Sequence, residues 1–230
     1  MTDNYTVFSQ LPEHPTLEDL QKAELVAKIA KLEAERHEFE LNSEAKTIDL
    51  MAHKLKNSQN LVFTFYGAVV PILVNECIQT LSAWVRKSPG EEITIMINTP
   101  GGSIQDGLGL YDYIQYVKKT NPVTTKVFGQ AASMGAVLLQ AGSKRIMQPN
   151  AMIMMHEASI SDEEGGFSFS TSDMEDHSKR MKDMQDGLYA ILAERSKLTP
   201  SQIKRRCNRK ESWIRAKEAA ELELIDAIEV

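Results

Sequence analysis

Apolar positions along this chain follow three different rhythms. Between residues 16 and 56, Leu25, Ile29, Leu32 and Phe39 recur near helical spacing in a stretch rich in Ala, Glu, Lys and Leu. That pattern predicts one long helix, or a helix broken near Asn42 and Ser43. Thr16, followed by Glu18 and Asp19, is a suitable helix start. From residue 61 the texture changes. NLVFTFYGAV predicts a strand, residues 73–86 a helix, and EITIMIN (92–98) a strand carrying β-branched residues. TPGGS then breaks the chain. DGLGLYDYIQYVKK reads as a helix bearing Leu108, Leu110, Ile114 and Val117, and VTTKVFG as a further short strand. Strand and helix alternate, which predicts an α/β domain with crossover connections. The third rhythm spans 174–191, where Met174, His177, Met181, Met184, Leu188 and Ile191 are spaced by three and four. Such an a/d seam suits a helix laid on its own core and equally a helix-to-helix contact between subunits.

Composition narrows the class. The 230 residues suffice for one substantial core, and 42% hydrophobic with 25% charged residues is an ordinary globular balance. The expected organisation is a charged helical extension, residues 1–60, before a main domain, residues 61–230. A formal net charge of −6 argues against a nucleic-acid partner, which needs a concentrated basic face. The short run Lys204, Arg205, Arg206, Arg209 and Lys210 reads as a solvated helix face. Cys77 and Cys207 are too few for a disulfide scaffold and lack metal-site spacing, so a reducing cytoplasm and no metal are expected. MTDNYTVFSQ has none of the segments of a signal peptide. LVFTFYGAVVPILV (61–74) is short for a membrane span and is interrupted by Pro71, so no membrane passage is expected.

The candidate chemistry centres on GQAASMGAVLLQAG (129–142), an apolar stretch that opens with small residues around one serine. At a strand-to-helix turn, Ser133 among Ala131, Ala132 and Gly135 would be exposed, with helix N-terminal amides aimed at one point. Taken alone, the stretch reads better as a tightly packed helix with Ser133 buried and satisfied. A nucleophilic serine needs a base, an acid to orient that base, and backbone donors for the oxyanion. Of five histidines, His14, His37 and His53 lie in the polar N-terminal region and His177 on the seam. His156 remains, at the end of the apolar strand NAMIMMHEAS. A Pro-Gly-Gly turn after a strand, with Gly101 and Gly102, lets the backbone approach a substrate closely. The order of these features raises the serine reading above the packed-helix one.

TPGGSIQDGLGLYDYIQYV, followed by FGQAASMGAVLLQAGSKRIMQPNAMIMMHEAS, closely resembles the proteolytic subunit of the Clp protease, over roughly residues 61–230. The resemblance implies a ClpP/crotonase-like spiral of strand-strand-helix units with a projecting handle, here about 157–197. It implies Ser133 as nucleophile, His156 as general base, and the amides of Gly102 and Met134 as oxyanion donors. Gapless alignment of KEAAELELIDAI to the family ending puts Glu211 where the family usually has aspartate. Asp226 is the rival acid, but it matches a structural position of that ending. An acid followed two positions later by Trp resembles virus- or prophage-encoded relatives. Glu157-Ala158 replaces the family's Gln-Pro after the histidine, and SISDEEGGFSFSTSDMEDH is more acidic than its counterpart. The family further implies heptameric rings, paired through handles around a chamber, and polypeptide substrates fed by a separate AAA+ ATPase. The seam at 174–191 falls on the handle helix, which favours an inter-ring contact. No GxxxxGK[ST] loop is present, so no cofactor is expected and ATP would serve the partner. Rival expectations are a catalytically inactive ring or scaffold subunit and crotonase-type acyl-CoA chemistry. Residues 1–60 have no counterpart in the family and read as a propeptide removed near Asn60, a pore plug or a docking arm.

Overall fold

The computed structural model describes residues 60–158 and 171–229 and, nearer the N-terminus, residues 16, 20, 22–29, 31–39 and 42. The chain divides into two units, Met1–Lys56 and Asn57–Val230. In the first unit, residues 22–29 and 31–39 are helical, where the periodicity predicts a helix. The side chains of Met174 and His177, expected on the seam, lie outside the described residues, as does most of the acidic stretch before them.

The second unit is built on a mostly parallel sheet. Its elements are β1 (Val62–Tyr66), α1 (Pro71–Lys87), β2 (Ile93–Thr99), α2 (Ile104–Val117), β3 (Val123–Ala132), α3 (Met134–Gln140), β4 (Lys144–Met147) and β5 (Met152–Met155). There follow α4 (Thr171–Glu194), α5 (Pro200–Cys207), β6 (Ser212–Arg215), α6 (Ala216–Glu221) and β7 (Ala227–Ile228). Among the described residues the strands run β1-β2-β3-β4-β7, all parallel, with β5 parallel to β3 and β6 antiparallel to β5. Parallel neighbours require crossovers, and α1 and α2 supply them between β1, β2 and β3. The core gathers Phe65, Ile93, Ile97, Leu110, Ile114, Met147 and Ile153, all essentially inaccessible to solvent. No described helix is long and apolar enough to cross a membrane.

Helix boundaries follow local chemistry that periodicity alone does not carry. α1 starts at Pro71, two residues before the expected 73, because proline at the first helical position has no amide hydrogen to lose. α2 starts at Ile104 rather than Asp106, since the Ser103 hydroxyl accepts the Asp106 amide at 3.3 Å and caps the helix there. The larger difference is β3, expected to end at Gly129 but extending to Ala132. Pairing with β2 slips between Ile97↔Val127 and Thr99↔Ala131. Gly129 sits in this irregularity at φ +82°, a conformation glycine adopts without strain, and a Cβ there would lie 2.8 Å from Asn98 Oδ1. Asn98 Oδ1 also accepts the Gln130 amide at 3.3 Å. The bend lets one strand serve two ladders. Thr124–Val127 pair with β4, and Gln130–Ala132 pair with β5.

A clasp holds the end of the chain against the sheet. Buried Arg145 donates from Nη2 to Asp226 Oδ1 at 2.6 Å and from Nε to Oδ2 at 3.1 Å, and its backbone amide also donates to Oδ2 at 2.7 Å. Arg195 Nη2 adds a bond to the same carboxylate at 3.3 Å. Burial alone would raise the Asp226 carboxyl, but the bonds from Arg145 and the two guanidinium charges hold it below its ordinary value.

Candidate active site

Ser133 stands between the last residue of β3 and the first of α3, and its backbone departs from both. Its φ is +54° and ψ −118°, its amide donates to Met154 O at 2.8 Å, and α3 begins at the next residue. A non-glycine residue held in this region carries about 1–3 kcal/mol of strain, which the surrounding packing must offset. The neighbours are correspondingly small. A Cβ on Gly101 would fall 2.5 Å from Ser133 Cβ, and one on Gly135 would fall 2.3 Å from Thr99 Cγ2. A Cβ on Gly107 would fall 2.3 Å from Met134 Cγ. The Pro-Gly-Gly turn, helix α2 and the serine turn therefore interlock with no room for another methyl group.

His156 follows β5 directly, and β5 pairs with the end of β3 in the register Ala131↔Ile153 and Ala132↔Met154. The sheet thus brings the two chemical residues together across a single strand pairing. Ser133 Oγ lies 2.7 Å from His156 Nε2. With the ring proton on Nδ1, the hydroxyl donates to Nε2, the arrangement general-base removal of that proton requires.

Gly102 and Met134 both line the cleft that holds this pair. Met134 is the first residue of α3, so its N–H has no partner within the helix. At the Val69↔Gly102 bridge, Val69 N–H donates to Gly101 O and Ser103 N–H to Val69 O, both at 2.8 Å. The Gly102 N–H takes no part in that bridge. A Cβ on Gly102 would lie 2.4 Å from Val69 O, so glycine is what allows the two segments to approach. Gly102, Ser133, Met134, His156 and Glu211 all line one cleft of about 950 Å³, with an apolar wall from Val137, Met181, Met184, Leu188 and Leu192.

The acid side is arranged differently. Glu211 lies in the exposed loop between α5 and β6, and its Oε2 accepts the Trp213 Nε1 hydrogen at 2.8 Å. Among the described residues the hydrogen bond of the His156 ring is the one to Ser133. The structure therefore brings Glu211 to the cleft without joining it to His156. Asp226, the rival, is engaged by Arg145 and Arg195 and is not among the cleft-lining residues.

Two neighbours of the site escaped the sequence reading as functional residues. Glu157 Oε2 accepts the amide of Arg209 at 3.2 Å, and Arg209 has a left-handed φ of +52°. The Ala158 amide donates to Gln185 Oε1 at 2.9 Å. Residues directly after the histidine thus hold both the Glu211 loop and helix α4. The only sequence signal was the departure at Glu157-Ala158 itself. Cys207 is no rival nucleophile, because burial and the Glu157 charge push its thiol up to about 11. Burial likewise raises the Cys77 thiol.

The parallel α/β sheet thus carries a hydrogen-bonded serine–histidine pair in a cleft that Gly102 and Met134 also line. The chain matches the family model described as Clp protease over residues 42–230, and it belongs to that family.

Proposed function

We propose that the protein is a serine endopeptidase that cleaves polypeptides by a Ser133–His156–Glu211 triad. The observation that carries this reading is the 2.7 Å approach of Ser133 Oγ to His156 Nε2 at a strained turn beside the Met134 and Gly102 amides. His156 Nε2 takes the hydroxyl proton as Oγ attacks the scissile carbonyl, and the two amides hold the resulting oxyanion. Collapse breaks the C–N bond, and the leaving amine takes the proton from His156. Water, deprotonated by the same ring, then releases the acyl group and restores the serine. Glu211 would fix the imidazole by exchanging its Trp213 bond for one to Nδ1.

The chemistry needs no cofactor in this chain. Family membership supports a ring of seven subunits, paired through handles around a closed chamber, and a partner AAA+ ATPase that unfolds and feeds substrates. The seam residues Met181, Met184 and Leu188 are only half-buried in the single chain, which fits a handle contact. A catalytically silent ring subunit is the second reading, and the Glu211–Trp213 bond is the observation on its side. Labelling with a fluorophosphonate decides between them. The peptidase reading expects stoichiometric modification of Ser133 and loss of peptide hydrolysis in Ser133→Ala with the oligomer intact. Absence of labelling, or undiminished turnover by Ser133→Ala, would overturn it.

A further inference from the structure

The helical stretch of the first unit lies before the region matched by the family, and nothing in the catalytic reading uses it. Its apolar residues face solvent to an unusual degree: Leu25 is 58% exposed, Ile29 47%, Leu32 57% and Phe39 75%. The described helical runs, residues 22–29 and 31–39, are each shorter than the roughly 12–15 residues below which an isolated helix is marginal in water. Such a helix persists by burying its stripe against something.

The register identifies what fits. Lys22, Leu25, Ile29, Leu32, Arg36 and Phe39 alternate three and four apart, so Lys22, Ile29 and Arg36 occupy a positions and Leu25, Leu32 and Phe39 occupy d positions. Lys28 and Glu35 fall at g, Val26 and Glu33 at e. A parallel pairing of two copies stacks Lys22 on Lys22 and Arg36 on Arg36 in the seam. An antiparallel pairing removes both conflicts. Each a residue then meets a d residue: Lys22 packs over Phe39 of the second copy, Leu25 against Arg36, and Ile29 against Leu32. The long aliphatic stems of Lys22 and Arg36 cover the apolar partner while their charges reach solvent. At the flank Lys28 meets Glu35 of the second copy twice, once on each side of the two-fold axis. Glu35 already lies 3.8 Å from Lys31 of its own helix, so the pairing gives that carboxylate a second cation.

We infer that residues 22–39 form an antiparallel two-stranded coiled coil with the same segment of a second copy of this chain. The contact is isologous and joins copies two at a time, so in a ring of seven at least one arm must pair with a chain of another ring. It is independent of the catalytic reading.

Cysteine cross-linking of the full-length chain tests it. Leu25→Cys and Arg36→Cys chains, co-expressed with distinguishable tags and oxidised, are expected to join to each other, while Leu25→Cys alone gives no more dimer than the parent chain, whose Cys77 and Cys207 are buried. Ile29→Cys with Leu32→Cys samples the central layer and stands in if the first pair disturbs the helix. Lys28→Glu is expected to lower the cross-link yield severalfold, and Lys28→Glu with Glu35→Lys to restore it. Homodimers of Leu25→Cys would replace the antiparallel pairing by a parallel one and overturn the proposal. No inter-chain cross-link in either mixed pair would mean that another part of the chain or a different protein covers this face, and would overturn it equally.

Discussion

The serine side and the acid side of the cleft are held by different means. Ser133 is fixed from behind: β3 runs into it, α3 runs out of it, its amide is tied to β5, and Gly101, Gly107 and Gly135 leave no slack around it. Glu211 sits in an exposed four-residue connection whose ties are the Glu157 bond to Arg209, a turn from Lys210 N–H to Cys207 O at 3.2 Å, and the Trp213 bond. Interlocked backbone cannot move without breaking the sheet, whereas a loop held by single hydrogen bonds moves at a cost of about 1 kcal/mol each. The difference teaches where control of this site resides. Ser133 and His156 are built into the fold, and the position of Glu211 is the adjustable part.

Four experiments break or sharpen that contrast, the largest effect first. Ser133→Ala should lower hydrolysis of fluorogenic peptides by at least about a thousandfold with a nearly unchanged melting temperature, since removing one hydroxyl opens no sizeable cavity and leaves the strained backbone as it was. Gly101→Ala should unfold the serine side itself. Its methyl group would meet Ser133 Cβ at 2.5 Å in a φ +98° conformation, so a loss of about 2 kcal/mol or more in denaturant titration is expected, together with loss of fluorophosphonate labelling.

The third experiment pits the two acids against each other. Glu211→Gln should reduce kcat about a hundredfold and leave the melting temperature unchanged, whereas Asp226→Asn should leave kcat within about twofold. Asp226→Asn removes a partner of buried Arg145, and about 2–3 kcal/mol is expected, or several degrees in thermal unfolding. The reverse ranking in kcat would move the orienting role away from Glu211. The acid limb carries a related signature. The folded Asp226 carboxyl is held below its unfolded value, so its stabilisation is complete above the ordinary carboxylate range and is lost as pH falls through the depressed value. Acid titration of Asp226→Asn should therefore show a shallower fall in stability below the ordinary carboxylate range than the parent chain.

The smallest effect is expected at Glu157. Replacing it by Ala frees the Arg209 amide and should lower kcat severalfold at constant KM, while Glu157→Gln, which keeps an acceptor oxygen, should recover most of the loss. Equal defects in the two variants would assign the position to charge rather than to holding the loop.

How much of this was legible in the sequence depends on how local each cause is. Alternation of strand and helix, the Pro-Gly-Gly break and the small residues around Ser133 are short-range patterns, and they led to the α/β fold and to Ser133, His156 and the Gly101-Gly102 turn as candidates, while Gly102 and Met134 as oxyanion donors came from the family resemblance. The structure places Ser133, His156, Gly102 and Met134 along one cleft. The extension of β3 to Ala132 was not legible, because it depends on Asn98 filling the space beside Gly129 from another strand. The same holds for the Arg145–Asp226 clasp, 81 residues apart, and for the Glu157–Arg209 tie, 52 apart. Neither partner carries a local mark of its mate. Glu211 was found by the position of the chain's ending, and its attachment to Trp213 two residues on is a matter of rotamer, which no spacing encodes.

The slip in β3 also limits how this chain can change length. Between its two paired positions β2 advances by two residues, Ile97 to Thr99, while β3 advances by four, Val127 to Ala131. Two extra residues preserve the inward–outward alternation, and one or three would reverse it for everything downstream. The segment acts as a parity filter on insertions and deletions. Descendants can lose or gain residues between Val127 and Ala131 only in pairs, since an odd change would turn the serine's face of the sheet away from the strand that carries His156.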